Sequence, residues 1–377
     1  MEHWTSKGDI RLFLWEKKAS DKVPHAGTLF FVHGSSMASQ PTFDLHVPGR
    51  PWSSAMDWFA SQGLDTWTMD NEGYGRSDKQ RDINFDISNG ADDLAAGSAY
   101  ILEQTGAPSL LVYGISSGAL KAALFTERHP ERVAKLALDA FVWTGKGSPT
   151  LDQRKKKLPE FLAKNRRAID RAFVHSIFQR DHPGMADENT VNAFADAILT
   201  LDDSMPTGTY VDMCSKLPLL DPTKISVPTI VLRGEHDGIA ALDNLIAFFK
   251  LLPNMNKQFS VMAGVSHASF QQKNYMMVYQ ILHSFFTMPE PAYKGWHHEK
   301  HRQVNVAGHA ACLVPVSRIG PERRPDLPEQ TGPADCSVCA RRLHRRGGAH
   351  SGAASFGGHG SAVRGRKQGR GGLHHRH

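Results

Sequence analysis

The chain has 377 residues, 40% of them apolar and 22% charged, which is enough for a large buried core needing no disulfide or metal staple. Its apolar runs are strand-sized, far short of the ~20 residues of a membrane span, and the N-terminus lacks the apolar stretch of a secretory signal, so a cytoplasmic protein is expected. The net charge of +6 is unevenly placed: residues 297–377 hold 14 Lys/Arg against 5 Asp/Glu, a net of +9, which leaves −3 for residues 1–296 and removes the basic balance as an argument for a nucleic-acid-binding body.

Taken in chain order, six short aliphatic or β-branched runs bounded by Gly, Pro or polar residues read as strands: 28–32, 66–69, 109–113, 133–138, 229–232 and 258–262, with an earlier one around 10–15. Continuous apolar runs of this kind suit parallel strands covered on both faces. Amphipathic helices are expected between them at 54–61, 91–104, 117–128, 242–252 and 275–286. Strand alternating with helix predicts an α/β protein with a parallel sheet and helices on both sides. From 141 to 222 the alternation stops; a charged helix over 151–180 and another over 188–201 are expected there, as a helical cap inserted after the sixth core strand. The division is therefore 1–140 and 223–290 for the core, 141–222 for the cap, and 291–377 for a basic tail. Leu, Ile, Val and Phe make up 12 of the last 81 residues, too few to offset ordering entropy, so the tail is expected to be disordered.

The strongest local signal is Gly114-Ile115-Ser116-Ser117-Gly118, a G-x-S-x-G pattern between an expected strand and an expected helix. A turn that tight needs small flanking residues, and it exposes the side chain of its middle residue, making Ser116 the candidate nucleophile. A serine hydroxyl needs a base and a group to orient that base. His267 sits on the loop after the last expected strand and is the candidate base. Asp237, in Arg233-Gly234-Glu235-His236-Asp237 after the strand 229–232, is the candidate acid, with Asp139 at the end of 133–138 as rival and Glu235 as a weaker one. For a developing oxyanion, one backbone donor is expected from Ser117 and the other from His33-Gly34-Ser35-Ser36, at Ser35 or alternatively Ser36. His33 reads as a structural loop residue.

These residues resemble the α/β-hydrolase superfamily over roughly residues 8–288. The order Ser116, Asp237, His267 matches its nucleophile–acid–histidine order, and His33-Gly34 is similar to its oxyanion loop. Asp70-Asn71-Glu72-Gly73-Tyr74-Gly75-Arg76-Ser77 is similar to its D-x-R-G-x-G-x-S loop, with Glu72 where Arg is frequent, a departure that bears on loop packing. Relatives with an Asp nucleophile, the HGGG esterases and the HGGPG iminopeptidases are disfavoured, because Ser116 stands at the nucleophile position and His33-Gly34 leads into Ser35-Ser36. The resemblance implies an α/β-hydrolase fold with a mostly parallel sheet and a capped serine hydrolase. The expected reaction is cleavage of a carboxylic ester or lactone through an acyl-enzyme on Ser116.

Phe43 and Trp52 in the loop 37–57, with Trp143 at the start of the cap, point to an apolar or aromatic small-molecule substrate. The same triad also serves C–C bond hydrolysis or cofactor-free oxygenation. No cofactor, metal or membrane is expected, and the pattern specifies no oligomeric state. In the tail, the arginine–glycine stretch 364–372 offers a minor alternative of nucleic-acid contact. Cys336 and Cys339 with His344 lack the second ligand pair of a zinc site.

Overall fold

The structure, a computed structural model, describes residues 1–292. The expected disorder of the tail, the Cys336/Cys339/His344 group and the stretch 364–372 lie outside the described residues. The chain runs β1 (Glu2–Lys7), β2 (Ile10–Lys17), β3 (Gly27–Val32), α1 (Ser39–Phe43), α2 (Ala55–Ser61), β4 (Leu64–Met69), α3 (Ile87–Thr105), β5 (Leu110–Ile115), α4 (Ser117–Arg128) and β6 (Val133–Asp139). It then leaves the sheet for α5 (Pro149–Lys155), α6 (Leu158–Ala163), β7 (Arg166–Ala168), α7 (Arg171–Gln179), α8 (Glu188–Leu201), β8 (Ser204–Pro206) and α9 (Gly208–Ser215). It returns through β9 (Thr229–Gly234), α10 (Leu242–Leu251), β10 (Lys257–Met262) and α11 (Tyr275–Thr287).

Eight strands form one sheet in the order β1-β2-β4-β3-β5-β6-β9-β10. From β4 to β10 every neighbouring pair is parallel, whereas β1 and β2 run antiparallel to their neighbours. The central strands β3, β5 and β6 are buried almost throughout, as continuous apolar runs require. Successive side chains alternate between the two faces. Phe30 and Val32 join the cluster under α3 and α4, while Leu29 and Phe31 join the one under α2 and α11. Lys135 of β6 donates to the carbonyls of Phe285, Phe286 and Met288, capping the C-terminal end of α11 with a cation where the helix dipole favours one.

Four expectations need correction. The N-terminal strand β1 was not expected, because Glu-His-Trp-Thr-Ser-Lys carries only a period-2 alternation on an edge and no apolar run. Helix α3 begins at Ile87, four residues before the expected start; Asp86 and Asn89 form a capping box that outweighs Gly90 in the first turn. The single helix expected over 151–180 is α5, α6 and α7 with β7 between: the chain turns at Lys156–Lys157 and restarts with Pro159 in the first turn of α6, and Asp170 caps a new helix by accepting from Phe173 N at 2.7 Å. The cap also holds a three-residue antiparallel ladder, β7 with β8, where no strand was expected. Strands this short carry too few residues to show a pattern.

The excursion sits on the core through polar contacts to the loop 70–78. Arg166 of β7 donates to Gly73 O at 2.9 Å, and the buried Asp202 carboxylate accepts from Gly75 N and Lys79 Nζ. In that loop Glu72 accepts two hydrogen bonds from Arg81, each 2.7 Å, and pairs with Lys7. The departure from arginine at this position is thus a reversal of charge that arginine from a neighbouring position answers. His33 is fully buried and accepts from Asn71 N at 3.0 Å through Nε2, tying the loop after β3 to the loop after β4.

Candidate active site

A single residue, Ser116, separates the end of β5 from the start of α4. Its backbone stands at φ 58° and ψ −125°, a strained conformation for a residue with a Cβ. The flanking glycines are there for space: a Cβ on Gly114 would run into the backbone of Gly118, and one on Gly118 into the carbonyl oxygens of Val32 and His33. The amide of Ser116 donates to Asp139 O at 2.9 Å, which anchors the turn to β6.

The structure brings Ser116, His267 and Asp237 together from three loops at the carboxyl ends of β5, β10 and β9. Ser116 Oγ lies 3.0 Å from His267 Nε2, and His267 Nδ1 lies 3.0 Å from Asp237 Oδ2. With the Nδ1 proton donated to the carboxylate, Nε2 is left as the acceptor facing the hydroxyl. Asp237 Oδ1 is held by the amides of Ile239 and Ala240 at 2.8 and 3.2 Å. Burial alone would push the Asp237 carboxyl up, but the charge of His267 and the hydrogen bond to it outweigh burial and hold it below its ordinary value.

The rival acids are engaged elsewhere. Asp139 is fully buried and accepts from Tyr113 Oη at 2.7 Å; burial, with the nearby Asp237 charge adding to it, pushes its carboxyl up to about 7. Glu235 is half exposed and accepts from Gly264 N at 2.9 Å.

The loop after β3 faces the same point. Among the described residues the amides of Ser35, Ser36 and Ser117 have no hydrogen-bond acceptor, and Gly34 packs against Ser116. The side chains of the two candidate oxyanion residues are joined, Ser35 Oγ donating to Ser117 Oγ at 2.6 Å. The cap completes this network from α9: Thr209 Oγ1 donates to Ser35 Oγ at 2.8 Å, and Tyr210 Oη is 2.6 Å from Ser36 Oγ. Neither Thr209 nor Tyr210 carries a sequence signal.

A further residue that sequence reasoning missed is Asp181, in the turn after α7. Its carboxylate accepts from Thr150 Oγ1 at 2.7 Å and from Arg180 at 2.9 and 2.7 Å. Against the upward pull of burial, Arg180 and then the charge of His267 hold it at about 2. Asp181, Asp237 and His267 offer donor atoms within 4.8 Å of one another. Both His267 nitrogens are engaged, by Asp237 and by Ser116, and both Asp181 oxygens accept from Arg180. The second such group, Asp44, His46 and Asp57, has Lys17 Nζ bridging its carboxylates.

Around Ser116 the free space is narrow, about 30 Å³, lined by Ser35, Ser36, Met37, Ile115 and His267 and by cap residues including Arg154, Arg180 and Tyr210. The aromatic residues behind the expected apolar pocket sit elsewhere. Phe43 stacks on Phe31 in the core, Trp143 packs edge-on against Phe248, and Trp52 is exposed. None of the three lines this chamber.

No helix among the described residues is long and apolar enough to cross a membrane. No curated protein matches the chain. Among solved structures, a soluble variant of the monoglyceride lipase from Saccharomyces cerevisiae is 15% identical with a TM-score of 0.57, over 75% of this chain and 94% of its own. A thermophilic esterase from Thermogutta terrifontis is 17% identical with a TM-score of 0.55, over 76% of this chain and 97% of its own. A thioesterase domain from the curacin biosynthetic pathway is 13% identical with a TM-score of 0.53, over 75% and 98%. At these identities the likeness is one of fold. The family model described as serine aminopeptidase, S33 matches residues 49–274, more than half of the chain, which therefore belongs to that family of the α/β-hydrolase superfamily.

Proposed function

We propose that this α/β-hydrolase cleaves a carboxylic ester or lactone of a small molecule by acyl transfer through Ser116. One observation carries the reading: a hydroxyl on a strained turn lies 3.0 Å from an imidazole nitrogen whose other nitrogen lies 3.0 Å from a buried carboxylate, with unpaired amides alongside. Ser116 Oγ bonds to the carbonyl carbon as its proton passes to His267 Nε2. The carbonyl oxygen becomes an oxyanion and accepts from the amides of Ser117 and Ser35, each such donor contributing ~3 kcal/mol in the transition state. The ester C–O bond then breaks, and His267 returns the proton to the leaving alcohol. A water molecule deprotonated by His267 attacks the acyl carbon and releases the acid, restoring the Ser116 hydroxyl. Asp237 stays ionised throughout and stabilises the imidazolium, a role that its depressed carboxyl suits.

Ser116→Ala is expected to lower ester kcat by at least about 10⁴-fold with an unchanged circular dichroism spectrum, and a fluorophosphonate probe is expected to label the wild type and not the variant. Unimpaired turnover in Ser116→Ala overturns the assignment. Turnover of a diketone with none of any ester replaces ester hydrolysis by C–C bond hydrolysis on the same triad.

A further inference from the structure

Beside the chamber at Ser116 lies an open cleft of about 730 Å³, lined by residues of α5, α6, β7, α7 and α9. The two spaces share Ser36, Arg154, Ile177, Arg180 and Tyr210 and so lie side by side. Four cations line the cleft: Arg154, Lys157, Arg167 and Arg180. Against them stand two acids, Glu160 and Asp181. Asp181 is committed to Arg180 and Thr150 through the contacts described above.

Arg154 and Arg167 differ from Arg180 in having no acceptor. Among the described residues neither guanidinium makes a hydrogen bond or an ion pair, and Arg167 Nε is buried with no partner. Aromatic faces hold both in place. Arg167 lies 4.2 Å from the Phe173 ring centre and 4.9 Å from that of Tyr210, and Arg154 lies 5.5 Å from that of Tyr210. Burial, with the nearby charge of Arg180, pulls Arg154 down to about 10 against the opposing pull of Tyr210 and Asp181. Both arginines are half-buried, and a planar guanidinium that lines an open cleft without a partner matches the oxygens of a carboxylate or phosphate.

We propose that this cleft is an anion subsite, in which Arg154 and Arg167 bind a carboxylate or phosphate at the far end of a substrate whose scissile carbonyl lies at Ser116. The inference rests on the acyl-transfer reading for its second half alone. The substrate class is then an ester carrying a remote negative charge, and the apolar or aromatic molecule expected from the sequence is displaced by it. Phe161, Phe173 and Tyr210 serve to fix the arginines and to cover the chain between the anion and the carbonyl.

The test compares mono(4-nitrophenyl) glutarate with its neutral counterpart 4-nitrophenyl pentanoate, in the wild type and in Arg154→Met and Arg167→Met. The wild type is expected to favour the anionic ester in kcat/KM, and each variant to lower the anionic-to-neutral ratio by about 10- to 100-fold, chiefly through KM. Equal kcat/KM for the two esters in the wild type overturns the subsite. So does a variant that lowers both by one factor, which marks a packing role. Calorimetric titration of Ser116→Ala with glutarate and with propyl phosphate reads the subsite without turnover. Binding of either that is lost on adding Arg154→Met supports it, the binder naming the anion, and binding of neither overturns it. If no ester is turned over while glutarate binds, the acyl-transfer reading fails and the subsite stands.

Discussion

Ser116 shows how backbone geometry at a single position sets where a side chain stands. A positive φ at a serine costs of order 1–3 kcal/mol, and it persists because the ladder from β3 through β6 and the approach of Gly118 to Val32 leave the turn no other course. The return on that strain is a hydroxyl standing clear of the sheet, within reach of His267. Asp139, one strand over, shows the opposite use of burial. Its carboxyl titrates near 7 in the fold against an ordinary 3.8, so the folded state holds the proton more tightly than the unfolded one. The stability this lends is fully present below about pH 4 and is lost as pH rises through about 7. Asp139→Asn keeps a neutral group opposite Tyr113 at every pH. The variant's melting temperature is therefore expected to rise relative to wild type between pH 4 and pH 8, by about 2–4 °C for each kcal/mol involved. A difference between the two proteins that stays constant over that range would contradict the assignment. Glu72 makes a further point at this scale. The family-like loop keeps its glycines and aspartate, and the altered charge is matched by Arg81 and Lys7, neither of which belongs to the motif.

The elements that place the site are not all in the sheet. Helix α9 holds the loop after β3 through the chain Thr209–Ser35–Ser117, so a cap helix sets the position of both candidate oxyanion donors. Thr209→Val removes the first bond while preserving shape. It is expected to lower ester kcat by about 10-fold with little change in KM, because one donor is displaced only when the oxyanion forms; an unchanged kcat would show that the loop holds itself. The His267 loop has a comparable support. Arg50 donates to the carbonyls of Phe270, Gln271 and Gln272 in the turn just after it and lies 4.0 Å from the Tyr275 ring centre. Legibility at this scale followed length and regularity. Helix α4, expected over 117–128, occupies Ser117–Arg128, with Ala119, Leu120, Ala122, Ala123 and Phe125 buried along it. The cap resolved poorly from sequence. The stretch 151–180 holds three short helices whose breaks are set by caps and by docking, with many of the charged residues in those breaks, and a period read over thirty residues averages them into one.

At the scale of the molecule, the candidate site lies where the excursion 141–222 meets the loops of the sheet. The buried Asp202 carboxylate joins them by accepting from Gly75 N and from Lys79. Asp202→Ala leaves Gly75 N without its acceptor and Lys79 with Leu201 O alone, and is expected to cost about 1–3 kcal/mol in urea unfolding, with faster proteolysis within residues 141–222. Unaltered stability and digestion would mean that the excursion docks through its other contacts, Arg166 to Gly73 O among them. The charge of −3 over residues 1–296 conceals the local arrangement. Arginines gather where α5, β7 and α7 meet over Ser116, and a sum over the chain cannot register where charges converge. The sequence by itself determined the strand–helix alternation, the turn at Ser116 and the order of Ser116, Asp237 and His267. Each is a local matter of period, of glycine sterics, or of a side chain at the end of a strand. Only the tertiary structure decided that Asp237 and not Asp139 meets His267, that Asp181 and Tyr210 come down from the cap, and that Arg154 and Arg167 face one cleft without a partner. Those outcomes depend on contacts between residues far apart in the chain, where burial and the direction of approach decide the pairing and no short-range pattern records it.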